Sequence, residues 1–209
     1  MTIRFDPTTR TLWLSIGDLV DTTAFPGSVP LAPRLRSRAA MGRETHAVHQ
    51  AAQQAALPSY CAEVTIRQQL LVDDYTVHLQ GRIDGLYEDD DTLIVEEIKS
   101  LLMPPEHFNA ITLGHYTAYE QQLTLYVHLL RQQHTGPVRG HLVLINLADN
   151  AAKVLVVEPE VADGTAFIVQ QVRRILAAIR RGWTVLCAAV VASKRYDSPS
   201  RRCARIKRP

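Results

Sequence analysis

Cysteine is scarce in this 209-residue chain. Cys61, Cys187 and Cys203 are an odd number, and no two of them form a C-x-x-C pair. Neither a disulfide framework nor a zinc knuckle is expected, and Cys61 and Cys187 read as small packing residues. Long apolar runs are also missing. The longest, Val185 to Ala192, is eight residues, against roughly 20 for a membrane-spanning helix, so no membrane is expected among the partners. The amino terminus, MTIRFDPTTRTLWLS, lacks the charged-then-apolar layout of a secretory signal, and the expected location is cytoplasmic. With 10 Gly and 11 Pro, no heptads and no repeated unit, collagen, coiled coil and solenoid are excluded. What is present, 46% hydrophobic and 21% charged residues, describes one globular domain with a substantial core.

The net charge of +2 is unevenly spread. Residues 193–209 hold seven Lys and Arg against one Asp, which leaves 16 basic and 20 acidic groups in the remainder. A mildly acidic body thus precedes a basic tail. The tail has Ser, Pro and no apolar period, so 183–209 is expected to be a C-terminal extension with a flexible basic end.

Along the body, Arg10 to Leu14 reads as a short strand, and Ser15 with Asp18 three residues on reads as the start of a helix reaching Thr23. Pro26, Gly27, Pro30 and Pro33 mark a loop. Arg34 to Leu57 reads as a long helix with Leu35, Ala39, Val48, Ala52 and Ala55 at helical spacing. Ala62 to Leu71, Tyr75 to Asp84 and Thr92 to Ser100 read as a three-strand meander, turning at Asp73-Asp74 and at Asp89 to Asp91. His115 to Gln133 carries a stripe of Tyr119, Leu123, Tyr126, Leu129 and Leu130 and reads as a helix. The strands His141 to Asn146 and Lys153 to Glu158 follow. A last helix, Val161 to Arg181, has Ile168, Val172, Ile175, Leu176 and Ile179 inward and Gly182 as its stop. This order calls for an α/β fold, a central mixed sheet of about five strands flanked by helices.

The stretch with chemical content is Gly81 to Ser100, GRIDGLYEDDDTLIVEEIKS. Folded as a hairpin between Asp90 and Asp91, it sets Asp89 against Thr92, Tyr87 against Ile94, and Asp84 against Glu97 on one face. Two opposed carboxylates in a strand that is apolar on both faces need something positive between them, and a divalent cation is the natural solution. Lys99 lies on the Glu97 face, one pleat on, while Ile94 and Ile98 point the other way. Asp84, Glu97 and the Ile98 carbonyl suit Mg²⁺, with Lys99 serving the attacking water or the transition-state charge. Phosphodiester hydrolysis fits that set. The plain alternative is an exposed hairpin with a Glu97–Lys99 ion pair.

Asp84 followed by Glu97-Ile98-Lys99 resembles the D…ExK signature of the PD-(D/E)xK nuclease superfamily, and the flanking pieces resemble its RecB-like branch. Gly42 to His46 matches that branch's G-x-x-x-H element, and Gln122 to Tyr126 its Q-x-x-x-Y motif. The resemblance implies a restriction-endonuclease-like fold over residues 1–182. It implies His46 as a metal ligand, Gln122 and Tyr126 as substrate-positioning residues, and Glu63 as an accessory acid. The nitrogen ligand adds Mn²⁺ to Mg²⁺ as activating ion. Arg34, Arg36, Arg38 and Arg43 are candidate phosphate contacts; His49, His107 and His115 are read as ordinary surface or core histidines. Relatives among CRISPR adaptation nucleases and helicase-linked nucleases hold an iron-sulfur cluster on four cysteines. This chain lacks them, so no iron-sulfur cluster is expected. The resemblance is nearest to modules of XPD-like DNA helicases, which makes DNA the expected partner and a separate helicase a further one. It leaves oligomeric state open and favours trimming of ends or single strands. The rival reading is a catalytically inactive nucleic-acid-binding or docking module.

Overall fold

The meander supplies the centre of the sheet. In this computed structural model, which describes residues 3–20, 33–158 and 164–181 and treats 33–39 by backbone alone, β3 (Cys61–Val72), β4 (Tyr75–Asp89) and β5 (Thr92–Leu101) run antiparallel in sequence. Both turns are two-residue connections built on acids. Asp90 and Asp91 have φ of 43° and 63°, and Asp73 has φ of 52°. Positive φ at both central residues of the Asp90-Asp91 turn, and at the first of the Asp73-Asp74 turn, suits the right-handed twist of the flanking strands.

Among the described residues the sheet has seven strands rather than the expected five or so. β1 (Arg4–Asp6) and β2 (Thr11–Ser15) add to one side, β2 running parallel to β4, while β6 (Val138–Asn146) runs parallel to β5 and β7 (Ala152–Val157) closes the other side. β1 spans three residues, too few to show a period of two. β2 owes its place to a long-range pairing that local pattern does not encode.

Helix α1 (Ile16–Val20) begins at the expected cap: the Asp18 N–H donates to Ser15 Oγ at 3.1 Å, and the Ser15 N–H to Asp18 Oδ2 at 2.7 Å. With α4 (Thr117–Arg131) and α5 (Gly164–Arg180) it covers one face of the sheet. Leu123, Val127, Val172 and Ile175 pack there against Leu14, Leu79, Val95 and Leu142. The short helix α3 (Pro105–Asn109) lies between β5 and α4 and was not anticipated; its Phe108 is buried. Among the described residues no helix is long and apolar enough to cross a membrane.

Helix α2 (Pro33–Ala56) lies on the opposite face, over β3, β4 and β5. Its orientation departs from expectation. Val48 is 66% exposed and Ala52 and Ala55 are exposed, whereas the residues turned inward are Gly42, Thr45, His46, His49, Gln50 and Gln53. The helical period is present, but the buried stripe is the polar one, because the strands beneath it present Glu96, Glu63 and the Asp84 carbonyl. Cys61 is disulfide-bonded, not a free packing thiol. The expected Pro and Gly loop before Pro33, the stop at Gly182, and the extension 183–209 with Cys187 and Cys203 lie outside the described residues, as do the side chains of Arg34, Arg36 and Arg38.

Candidate active site

β4 is long enough to serve three neighbours. β3 occupies one edge along nearly its whole length, from Val72↔Tyr75 to Cys61↔Leu86. The other edge is divided between β2, at Thr76 to Gln80, and β5, at Gly85 to Asp89. Gly81 to Asp84 therefore have no ladder partner on that edge. The hairpin register is the expected one, with Asp89↔Thr92 and Tyr87↔Ile94, and the ladder stops at Gly85↔Glu96, one pair short of Asp84 and Glu97.

The gap is filled by side chains. Tyr126 of α4, 3% exposed, donates its hydroxyl to the Arg82 carbonyl at 3.1 Å and accepts the Arg82 N–H at 3.2 Å, standing in for a missing strand. Gly81 makes the approach feasible, since a Cβ there would lie 2.4 Å from the Tyr126 ring. Gln122 sits one turn earlier, its Nε2 3.5 Å from the Tyr126 hydroxyl. On the other side of the gap, Asp84 Oδ2 accepts the Ile98 N–H at 2.8 Å, so a side chain replaces a ladder bond and aims the carboxylate.

Asp84 and Glu97 are both buried, at 8% and 2% exposure. Lys99 Nζ donates to Glu97 Oε1, and its ammonium stands 5.1 Å above the Tyr119 ring. Among the described residues Glu97 Oε2 has no hydrogen-bond partner. Burial pushes the Glu97 carboxyl up to about 7; the Lys99 ammonium opposes the rise and the Asp84 charge adds to it. Burial also raises Asp84, against the Ile98 N–H and Lys99. His46 Nδ1 lies 3.9 Å from Asp84 Oδ2. Burial lowers the imidazole below its ordinary value despite that carboxylate, so the ring is a neutral nitrogen donor near pH 7.

Glu63 arrives at the same corner. It has φ of 58° at the point where the β3–β4 ladder skips a pair, and its carboxylate holds Arg82 Nε at 2.6 Å and Gln50 Nε2 at 3.3 Å. Fold and pairing thus bring His46, Glu63, Asp84, Glu97, Ile98 and Lys99 to one break in the sheet, with Gln122 and Tyr126 on its far side. His107 is exposed on α3, and His115 binds Thr112, both away from the break. Two residues of this region, Tyr60 and Gln50, carry no motif that the sequence reveals, while Glu96 reads from the sequence as a bystander of Glu97 or a partner to the residues around the ion. Gln50 was within reach of sequence reasoning, being one turn beyond His46 on the same helical face.

A buried carboxylate oxygen without a partner among the described residues, two acids whose ionised forms are disfavoured by desolvation, and a neutral imidazole form a donor set suited to a divalent cation. Among the described residues no three His, Cys, Asp or Glu side chains form a ready-made cation cage.

No curated protein matches the sequence. The crystal structure of SSO0001 is similar in fold, with a TM-score of 0.56 and 19% identity over 79% of this chain and 75% of that one. The profile of the PD-(D/E)XK nuclease superfamily, a group of hydrolases that typically use divalent ions such as Mg²⁺ or Mn²⁺, matches residues 18–205. Residues 18–205 include the break in the sheet with all its acids and Lys99, and the chain belongs to the PD-(D/E)XK nuclease superfamily.

Proposed function

We propose that the protein is a metal-dependent deoxyribonuclease that hydrolyses phosphodiester bonds at DNA ends or in single strands. The supporting observation is Glu97: a carboxylate 2% exposed, with one oxygen held by Lys99 and the other without a partner among the described residues. A buried charge left in that state destabilises the fold unless it is used.

In this reading Asp84, Glu97, the Ile98 carbonyl and His46 would hold Mg²⁺ or Mn²⁺, with Glu63 as an accessory acid. The ion, when bound, supplies positive charge to phosphate oxygens and acidifies a water. Lys99 has its ammonium fixed between Glu97 and the Tyr119 ring. From there it orients the attacking water and offsets charge developing on the phosphoryl oxygens. Tyr126 keeps its hydroxyl on the Arg82 backbone and so holds the gap open, while half-buried Gln122 beside it steers the strand.

The test uses labelled linear and circular DNA, single and double stranded, with Mn²⁺ or with EDTA. Cleavage of linear strands alone, abolished by EDTA, is the expected result. Lys99→Ala should lower the cleavage rate by about 10² to 10³ with DNA affinity retained. Undiminished cleavage removes Lys99 from the mechanism, and metal-independent binding without cleavage favours the docking module.

A further inference from the structure

Helix α2 contributes one proposed ligand, His46, while the sheet contributes the others, so the seating of α2 decides whether the set is complete. That seat is unusual. The inward stripe of α2 is Gly42, Thr45, His46, His49, Gln50 and Gln53, and in the described part of the helix only Gln50 is buried, at 8% exposure. A cleft lined by Met41, Thr45, Val48, His49, Ile145 and Leu147 runs beside it instead of a packed apolar seam. A buried Leu is worth about 1.5–3 kcal/mol and a net hydrogen bond about 0.5–1.5. The position of α2 therefore depends on polar contacts, each sensitive to geometry.

Two such contacts, from His49 on α2 and from Tyr60 just beyond its end, meet on one carboxylate. Glu96, 2% exposed, points to the face opposite Glu97. Its Oε2 accepts the Tyr60 hydroxyl at 2.6 Å and lies 3.3 Å from His49 Nε2. Tyr60 follows the last turn of α2, tied back by its N–H to the Leu57 carbonyl at 3.0 Å, and its ring stacks on Tyr87. Gly85 leaves room for this, since a Cβ there would meet the Tyr60 hydroxyl at 2.2 Å and Glu96 Oε2 at 2.7 Å. One turn from His46, Gln50 Nε2 donates to the Asp84 carbonyl at 2.8 Å.

We infer that Glu96, through Tyr60 and His49, docks α2 on the sheet and thereby sets His46 against Asp84. Glu96 and Tyr60 are positioning residues for the ion and do not touch it. The inference rests on the proposed metal site and adds to it a polar dock on the reverse face of the sheet.

Mn²⁺ titration calorimetry without DNA tests it. Tyr60→Phe keeps the stacked ring and loses the hydroxyl; it should weaken Mn²⁺ binding about tenfold, as Glu96→Ala should. Glu96→Gln should restore wild-type affinity, because one carbonyl oxygen can serve both donors. In a His46→Ala background Tyr60→Phe should have no further effect, since it acts through His46. Wild-type affinity in Tyr60→Phe, or losses additive with His46→Ala, overturns the inference. Amide exchange over residues 42–56 reads the dock without metal. Faster exchange in Tyr60→Phe with β6 still protected supports it, and unchanged exchange overturns it. A wild-type protein that binds no Mn²⁺ overturns the metal reading itself, and exchange then judges the dock alone.

Discussion

Tyr126 illustrates how one hydroxyl can replace a strand. Its O–H and the Arg82 N–H and C=O form a closed exchange at the gap between β2 and β5. Burial raises the phenol to about 12, with the Glu97 charge adding to the rise, so it stays a neutral donor and acceptor through any working pH. Tyr126→Phe leaves both Arg82 backbone groups unpaired beside a buried ring. It should cost about 1–3 kcal/mol in urea unfolding, with a further fall in cleavage as Asp84 loses its fixed place. An unchanged urea midpoint would show that water substitutes for the hydroxyl. The motif spacing located Gln122 and Tyr126 on one helical face but could not reveal this use, because the gap exists only once β2 and β5 share an edge of β4. Asp84, Glu97 and Lys99 were legible for the opposite reason: their relation follows from a single local register.

That register belongs to an element, the β4–β5 hairpin, and its turn governs it. Asp90 and Asp91 occupy left-handed backbone with φ of 43° and 63° and follow Asp89, so three adjacent carboxylates share a tight turn. Asp91→Gly removes a charge and the Cβ from a strained position. Thermal unfolding should show a gain of about 0.5–1 kcal/mol with cleavage unchanged, since the turn is remote from Asp84; a loss of stability would mean that the acids hold the turn by bonds of their own. Helix α2 is where element-scale reading failed. Val48, Ala52 and Ala55 recur at helical spacing, yet that stripe faces outward and the polar stripe faces the sheet. Periodicity locates a helix and its two faces. Which face is inward depends on what the sheet presents, and here the sheet presents Glu96 and the Asp84 carbonyl.

At the scale of the whole molecule, the proposed metal site would make stability and metal binding two sides of one equilibrium. Glu97, raised from 4.5 to about 7, binds its proton more tightly folded than unfolded, so the stability it contributes is full below about pH 4.5 and is lost as pH rises through 7. Asp84, also raised, acts in the same direction. His46 and His141 are lowered by burial and act oppositely below 6.5, and Asp6 and Asp73, lowered by their hydrogen bonds, matter only below 3.8. The contribution of Glu97 is therefore best read as a difference. Without metal, Glu97→Gln should match wild type near pH 4.5 and exceed it by roughly 3 kcal/mol at pH 8, as measured by urea unfolding. Mn²⁺ at pH 8 should reverse the order, stabilising wild type by about 4.1 kcal/mol at a thousandfold excess over its dissociation constant and the variant hardly at all. Parallel pH profiles for the two proteins would mean that Glu97 is ionised and solvated in the folded state. In the proposed site, a buried acid that weakens the empty fold and strengthens the loaded one would also account for a carboxylate oxygen left without a partner among the described residues.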